Sequence, residues 1–261
     1  MLIKLIKYDL KWMFKILPVF YVLAFFFSIV SFFLSKIEDS ALFSFINGFS
    51  NGFTVAMVVN ALINSVIRAW VRFRQNVYKD EAYLTHTLPV PREKIFLSKT
   101  LAGIISVFTS VAVSVVCLVI CFYNMADMIN NLLKAVTDML SVSSAGAVAI
   151  VFCELFFQLI FVLLLGYCSI ILGHKSNKNK LAKSFIIGFA MYLVSNFVSV
   201  AAMGIAGFMN KDMMNFIKTS EPVTPSSVRV LLVLTIVLYF VYGIICYAIG
   251  RKALKKGVDI D

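Results

Sequence analysis

The stretch YKDEAYLTHTLPVPREKIFLSK, residues 78–99, carries two prolines, a histidine and charges of both signs, and it stands between two long apolar runs. Residues 41–67 before it and 100–123 after it hold no charge. A chain that returns to a polar surface between two such runs reads as crossing and recrossing a membrane. Four further runs share this character, at residues 16–35, 145–173, 184–209 and 230–250, and only Glu154 is charged within them. Each is long enough to cross a ~30 Å hydrocarbon core as a helix of about 20 residues. None shows the period-two alternation that a barrel strand needs. Composition agrees. Of the 261 residues, 61% are hydrophobic and 14% charged, where a soluble domain is about 25% charged. Mean hydropathy is +0.93. The expected fold is an all-α membrane protein with six transmembrane helices in one domain, residues 16–261.

The charge pattern sets an orientation. Lys and Arg number 24 against 13 Asp and Glu. Most of these bases fall in alternate gaps: residues 1–15, 68–99, 174–183 and the tail from Arg251. The opposite gaps hold only Lys36, Lys134, Lys211, Lys218 and Arg229. Cytoplasmic loops collect Lys and Arg, so both termini are expected in the cytoplasm. The same excess, without a basic face interleaved with aromatics in a soluble segment, gives no sign of nucleic-acid binding. The first apolar run is too long for the core of a cleavable leader, and it reads as an anchor. Cys117, Cys121, Cys153, Cys168 and Cys246 all lie in apolar runs and read as small hydrophobes.

Residues 1–15, MLIKLIKYDLKWMFK, do not span. At ~100° per residue, Lys4, Lys7, Lys11 and Lys15 fall within roughly 80° of one another, and apolar side chains cover most of the rest. This predicts an N-terminal interfacial amphipathic helix with its lysines toward lipid headgroups. Asp9 interrupts the apolar arc. It either snorkels near a helix end or makes a specific ion pair.

Residues 68–99 read either as an ordinary solvated loop or, being longer than most membrane loops and carrying helices of their own, as a segment with a function. Arg68, Trp70, Arg72, Phe73, Arg74 and Tyr78 alternate cationic and aromatic, as though the second span continues as an amphipathic helix through Tyr83, with Asp80 and Glu81 in its last part. Pro89 and Pro91 then break it and favour extended residues before them. Pro91 suits the first turn of the next helix, and Glu93 suits its dipole. Exposed Leu84, Leu88 and Val90 among mixed charges resemble a docking surface.

RFRQNVYKDEAYLTHTLPVPREKIFLSK resembles the first cytoplasmic loop of type-2 permease subunits of ABC transporters, in particular a group found in clostridia-like Gram-positive bacteria. There an acidic pair, then YL…TLPV and a basic residue, precede the third span. Asp80, Glu81, Tyr83, Leu84, Thr87, Leu88, Pro89, Val90 and Arg92 match, as do Ser98 and Lys99, while Pro91 and Glu93 depart from the pattern. LIKYDLK is similar to that group's interfacial helix, and LGYCSIILGHKSNKNKLAKSF to its short second cytoplasmic loop. The resemblance implies a membrane-spanning permease subunit of an ATP-driven exporter in a bacterial plasma membrane, moving a peptide, drug or lipid-like cargo. It implies docking of an ATP-binding subunit through Asp80, Glu81, Tyr83, Leu84, Thr87, Leu88, Pro89 and Arg92, with ATP and Mg on that partner. It also implies a second permease copy or a sister permease.

The residues themselves exclude some chemistry. No glycine is followed by lysine, so no phosphate-binding G-x-x-x-x-G-K-[ST] loop exists. His86 and His174 lie far apart, and no metal site or cofactor is expected on the chain. No nucleophile elbow or H-E-x-x-H is present, and no enzyme is expected. Polar groups inside the spans are the remaining candidates: Glu154 with Gln158 a turn on, Asn60 with Asn64, and Asn196. A polar group in hydrocarbon faces a bundle interior or water. These residues either wall a translocation path or bond neighbouring helices. Gly48 and Gly52 permit close helix packing. Segments 125–140 and 209–228 are expected to lie on the outer surface. Two other readings stay open: an ion-coupled secondary transporter using Glu154, and a membrane scaffold that recruits a cytosolic partner.

The orientation is tested with alkaline-phosphatase fusions. Fusions at Lys134 and Lys218 are expected to be active and one at Lys175 inactive; the reverse pattern inverts the topology.

Overall fold

The computed structural model describes residues 2–37, 41–79, 81–87, 89–122, 137, 144–176, 179–209 and 225–255. Among the described residues there are eight helices and no strand: α1 (Leu2–Met13), α2 (Leu17–Leu34), α3 (Ala41–Tyr78), α4 (Ala82–Thr87), α5 (Arg92–Cys121), α6 (Ser144–Gly173), α7 (Lys180–Met209) and α8 (Pro225–Lys255). Six of them, all but α1 and α4, are long and apolar enough to cross a membrane. The chain is an all-α, multi-pass membrane protein.

Local chemistry sets the boundaries. A turn at residues 14–16 separates α1 from α2, and Pro18 opens α2 where its missing N–H costs nothing. Helix α3 runs 38 residues, about 57 Å at ~1.5 Å per residue, so the amphipathic extension of the second span is one helix with it. The extension stops at Tyr78, short of the expected Tyr83. The Lys79 amide reaches back to Arg74 O at 3.2 Å and the Glu81 amide to Gln75 O at 3.3 Å, a widened last turn. Glu81 therefore precedes α4 and does not close α3. That is the favourable side, since a carboxylate opposes the C-terminal dipole of a helix and suits the N-terminal one. Pro89 and Val90 form the bend before α5. The expected outer segments 125–140 and 209–228 lie outside the described residues, except residue 137, Met209 at the end of α7, and the end of the second, which opens α8 with Pro225 at its first position.

The chain divides into two compact units, Met1–Arg72 with Leu97–Leu132, and Phe73–Phe96 with Leu133–Asp261. In the first, Ala24, Val58 and Cys117 form a buried cluster from α2, α3 and α5, with Met57, Leu62, Val113 and Leu118 against it. Hydroxyls stitch the same helices. Tyr21 Oη and Ser110 Oγ are 2.6 Å apart, and Ser31 Oγ donates to Asn47 Oδ1 at 2.9 Å and also to Asn51. Gly48 and Gly52 face the other way. A Cβ on either would meet nothing within 4 Å, so the described chain does not use this pair for its own packing.

In the second unit α6 packs along α8 and against α7. Its aromatic core lies at one end. Phe73, Phe96 and Tyr167 are all but fully buried, with Phe73 4.6 Å from Tyr167 between ring centres and Phe96 5.2 Å from Tyr247. Tyr78 lies 4.2 Å from His174. The turn from α6 to α7 is tight. A Cβ on Gly173 would fall 2.6 Å from the Ser184 backbone nitrogen, and Asn179 takes a φ of 51°, a left-handed conformation that Asn tolerates. Many large apolar side chains point outward, Phe185 and Phe197 each 73% exposed. In a membrane these meet lipid, where exposure carries no hydrophobic penalty.

Phe73→Ala is expected to destabilise the protein by about 3–5 kcal/mol, the cost of emptying a packed aromatic site. Phe185→Ala should change stability by less than about 0.5 kcal/mol. Unfolding in detergent micelles measures both.

Candidate coupling surface and membrane cavity

The surface expected to dock a partner is built on α4 and the bend that follows. Ala82 and Thr85, one turn apart, are buried. Ala82 is fully enclosed, so the position takes a small side chain. Thr85 Oγ1 donates to Glu81 O at 2.9 Å and Thr87 Oγ1 to Leu84 O at 2.9 Å, which tightens the short helix. The opposite face carries Tyr83, 74% exposed, and Leu84, 68% exposed. Thr87, Pro89 and Arg92 are exposed beside them, and Glu81 is half-buried. Six of the eight expected docking residues thus belong to one corner; Asp80 and Leu88 lie outside the described residues.

This corner is fastened at both feet within the second unit. On the α3 side, Tyr78 stacks on His174 at the end of α6. On the α5 side, Phe96 meets Tyr167 and Tyr247. Glu93 Oε2 accepts from Arg251 Nη2 at 2.6 Å, and Lys255 Nζ lies 3.3 Å from its other oxygen. These charges are partly solvated, so they fix a position more than they add stability.

In the first unit α1 is held by a buried ion cluster. Lys99 Nζ donates to Asp9 Oδ1 at 2.5 Å and to Oδ2 at 2.7 Å, and Arg72 Nε donates to Oδ1 at 3.1 Å. The three side chains are 2, 3 and 10% exposed for Asp9, Lys99 and Arg72. Asp9 makes the specific pair, and snorkelling is overturned. The reason is geometric: Arg72 and Lys99 come from α3 and α5 and enclose the carboxylate. Trp12 completes the joint, its ring 4.5 Å below the Arg68 guanidinium and its carbonyl accepting from Arg68 Nη2 at 3.2 Å. The sequence signal was an acid on the apolar arc of a basic helix, with no means of choosing its partners.

The intramembrane candidates separate. Asn60 and Asn64 lie in the first unit and donate to Ala56 O and Asn60 O of their own helix, each at 2.9 Å. In the second unit Gln158 and Asn196 line one cavity between α6, α7 and α8, with Tyr192, Ser195, Thr235 and Tyr239. Glu154, half-buried one turn before Gln158 on α6, is not among the residues lining it. Thr235, Tyr192 and Tyr239 were not singled out by sequence, since hydroxyls are ordinary packing groups in spans.

Among the described residues no group of three His, Cys, Asp or Glu could hold a metal ion. No family model, curated protein or solved structure matches the chain.

Asp9→Asn removes the carboxylate that Arg72 and Lys99 share and is expected to cost about 3–5 kcal/mol. Asp9→Asn with Lys99→Met should recover more than half of that. Denaturant unfolding, read by the emission of Trp12 and Trp70, measures both.

Proposed function

We propose that the chain is the membrane-spanning permease subunit of an ATP-driven exporter in a bacterial plasma membrane, with both termini cytoplasmic. It hydrolyses nothing itself; ATP and Mg bind on a separate ATP-binding subunit, which docks on the α4 corner. The single observation that carries this reading is the corner: a short helix with a buried small-residue face and an outward Tyr83–Leu84 pair, hung between the ends of two long helices. Solvated loops rarely present a tyrosine and a leucine this bare, whereas the centre of a protein interface is rich in such residues.

The arrangement suits transmission. A displacement of α4 acts through covalent continuity on both α3 and α5. Tyr78, Phe96 and Glu93 carry it to α6 and α8, and the Asp9 cluster makes α1 follow α3 and α5. A second copy or a sister permease completes the transporter, and the bare Gly48–Gly52 face of α3 supports an intramembrane partner. Basic α1 keeps its contact with lipid headgroups, and the cargo class is a peptide, drug or lipid-like molecule.

The test is a tagged pull-down from native membranes in mild detergent, with ATPase activity followed in the eluate. The wild type is expected to bring down an ATP-binding subunit. Tyr83→Asp/Leu84→Asp should lose at least roughly 90% of it, as removal of an interface anchor does, with unchanged unfolding because both side chains are exposed. Equal recovery with the variant, or no ATPase with the wild type, overturns the reading.

A further inference from the structure

The cavity between α6, α7 and α8 has a volume of about 220 Å³. On α7 its lining runs from Tyr192 to Met203, roughly 16 Å along the axis, so the cavity is a narrow slot. It sits deep in the spans: Asn196 is near the middle of α7 and Gln158 near the middle of α6. Gln158, Tyr192 and Asn196 are exposed, so the slot is open to its surroundings. Phe161, Val162, Val200, Met203 and Leu238 form its apolar part. Among the described residues, none that lines it is charged.

The polar part is only half used. The Asn196 amide donates to Tyr192 O at 2.8 Å, and Ser195 Oγ donates to the same oxygen at 2.7 Å. These bonds spend protons on the helix's own backbone and leave Asn196 Oδ1 and the Ser195 oxygen as acceptors. The side-chain amide of Gln158 and the hydroxyls of Tyr192 and Tyr239 make no hydrogen bond among the described residues. Spare donors and spare acceptors thus face one slot. At this depth hydrocarbon supplies a partner to neither.

We propose that the slot binds a neutral amphiphile whose head carries adjacent hydroxyls, of the monoacylglycerol kind. Its head lies among Gln158, Tyr192 and Asn196, and its first chain carbons lie against Val200 and Met203. A hydroxyl both donates and accepts, so it answers either kind of spare group. At ~30 Å³ per water-sized group, the space takes roughly seven such groups, the size of a glyceryl head with its ester carbon. Other classes meet physical obstacles. An ion of either sign finds no counter-charge in the lining, and an unpaired charge away from water is costly. A wholly apolar molecule leaves the amides and hydroxyls unbonded. Water alone would wet the apolar part.

This deepens the permease reading, on which the role of the amphiphile as cargo rests; the binding itself does not need the ATPase. The experiment uses the full chain in phosphatidylcholine nanodiscs, without partner, and a monoacylglycerol with a photoreactive diazirine in its chain near the ester. Saturable labelling confined to α6, α7 and α8 is expected, mapped by mass spectrometry of the labelled peptides. Unlabelled monooleoylglycerol should compete at least roughly tenfold better than methyl oleate, which has the same chain and no hydroxyl. Tyr192→Phe removes one hydroxyl and keeps the ring, and should weaken labelling about threefold, the loss of one hydrogen bond. Gln158→Leu/Asn196→Leu should weaken it at least roughly tenfold. Both side chains are exposed, and leucine is at home in lipid. Asn64→Leu, an amide loss in the other unit, should stay within about twofold of wild type. If the double variant does not fold, Tyr192→Phe and the competition decide. No saturable labelling, labelling elsewhere, equal competition by methyl oleate, or equal labelling of a folded double variant or of Tyr192→Phe overturns the proposal. Labelling as expected with no ATPase in the pull-down keeps the site and removes the exporter reading. ATPase recovery without labelling does the opposite.

Discussion

Hydrocarbon offers no partner to a peptide N–H or C=O, and this constraint shapes the whole chain. Each backbone group in the spans must bond within its own segment, so the apolar runs form helices whatever their side chains prefer. That explains why helix-poor residues are tolerated in quantity: Phe, Val and Ile make up 10 of the 18 residues of α2. It also explains where hydroxyls go. Ser28, Thr54, Ser114 and Ser199 each return their proton to the carbonyl four residues back. With backbone and hydroxyls satisfied internally, little directional bonding is left to hold one helix to the next. The few inter-helix polar contacts, such as Tyr21–Ser110 and Tyr242 to Ser195, therefore carry more of the specificity than their number suggests.

The fold was legible because the signal is one-dimensional. Length of apolar run and placement of charge locate spans without knowledge of neighbours, and residues 145–173 and Ser144–Gly173 differ by one residue at one end. The N-terminal helix was equally readable, since four lysines on one arc need only the helical period. Errors fall where the decision is tertiary. The second span's extension was carried five residues too far, because nothing local says that Tyr78 will lie against His174 or that Ala82 will be buried. The Gly48–Gly52 pair was visible, but whether it packs inside the chain was not.

The candidate site was legible in part. The corner itself was legible because Pro89 and Pro91 break the helical pattern there, whereas its eight candidate docking residues came from the resemblance. Glu154 and Gln158 were found because an acid in an apolar run is conspicuous. Their setting was not legible. Tyr192 and Asn196 come to the cavity from α7 and Tyr239 from α8, spans remote in sequence from Gln158, and Thr235 hides among ordinary hydroxyls. Asp9 shows the same limit, its register on α1 being readable and its partners not.

The Asp9 cluster has a consequence in time. Its carboxylate is 63 residues from Arg72 and 90 from Lys99 in the chain. At a synthesis rate of about 5–20 residues per second, α1 emerges roughly 5–20 s before Lys99 does. Until then the carboxylate has at most Arg72 of the two cations that enclose it. The third span must be delivered before α1 is fully fixed, so α1, made before α3 and α5, is among the last parts of its unit to be locked.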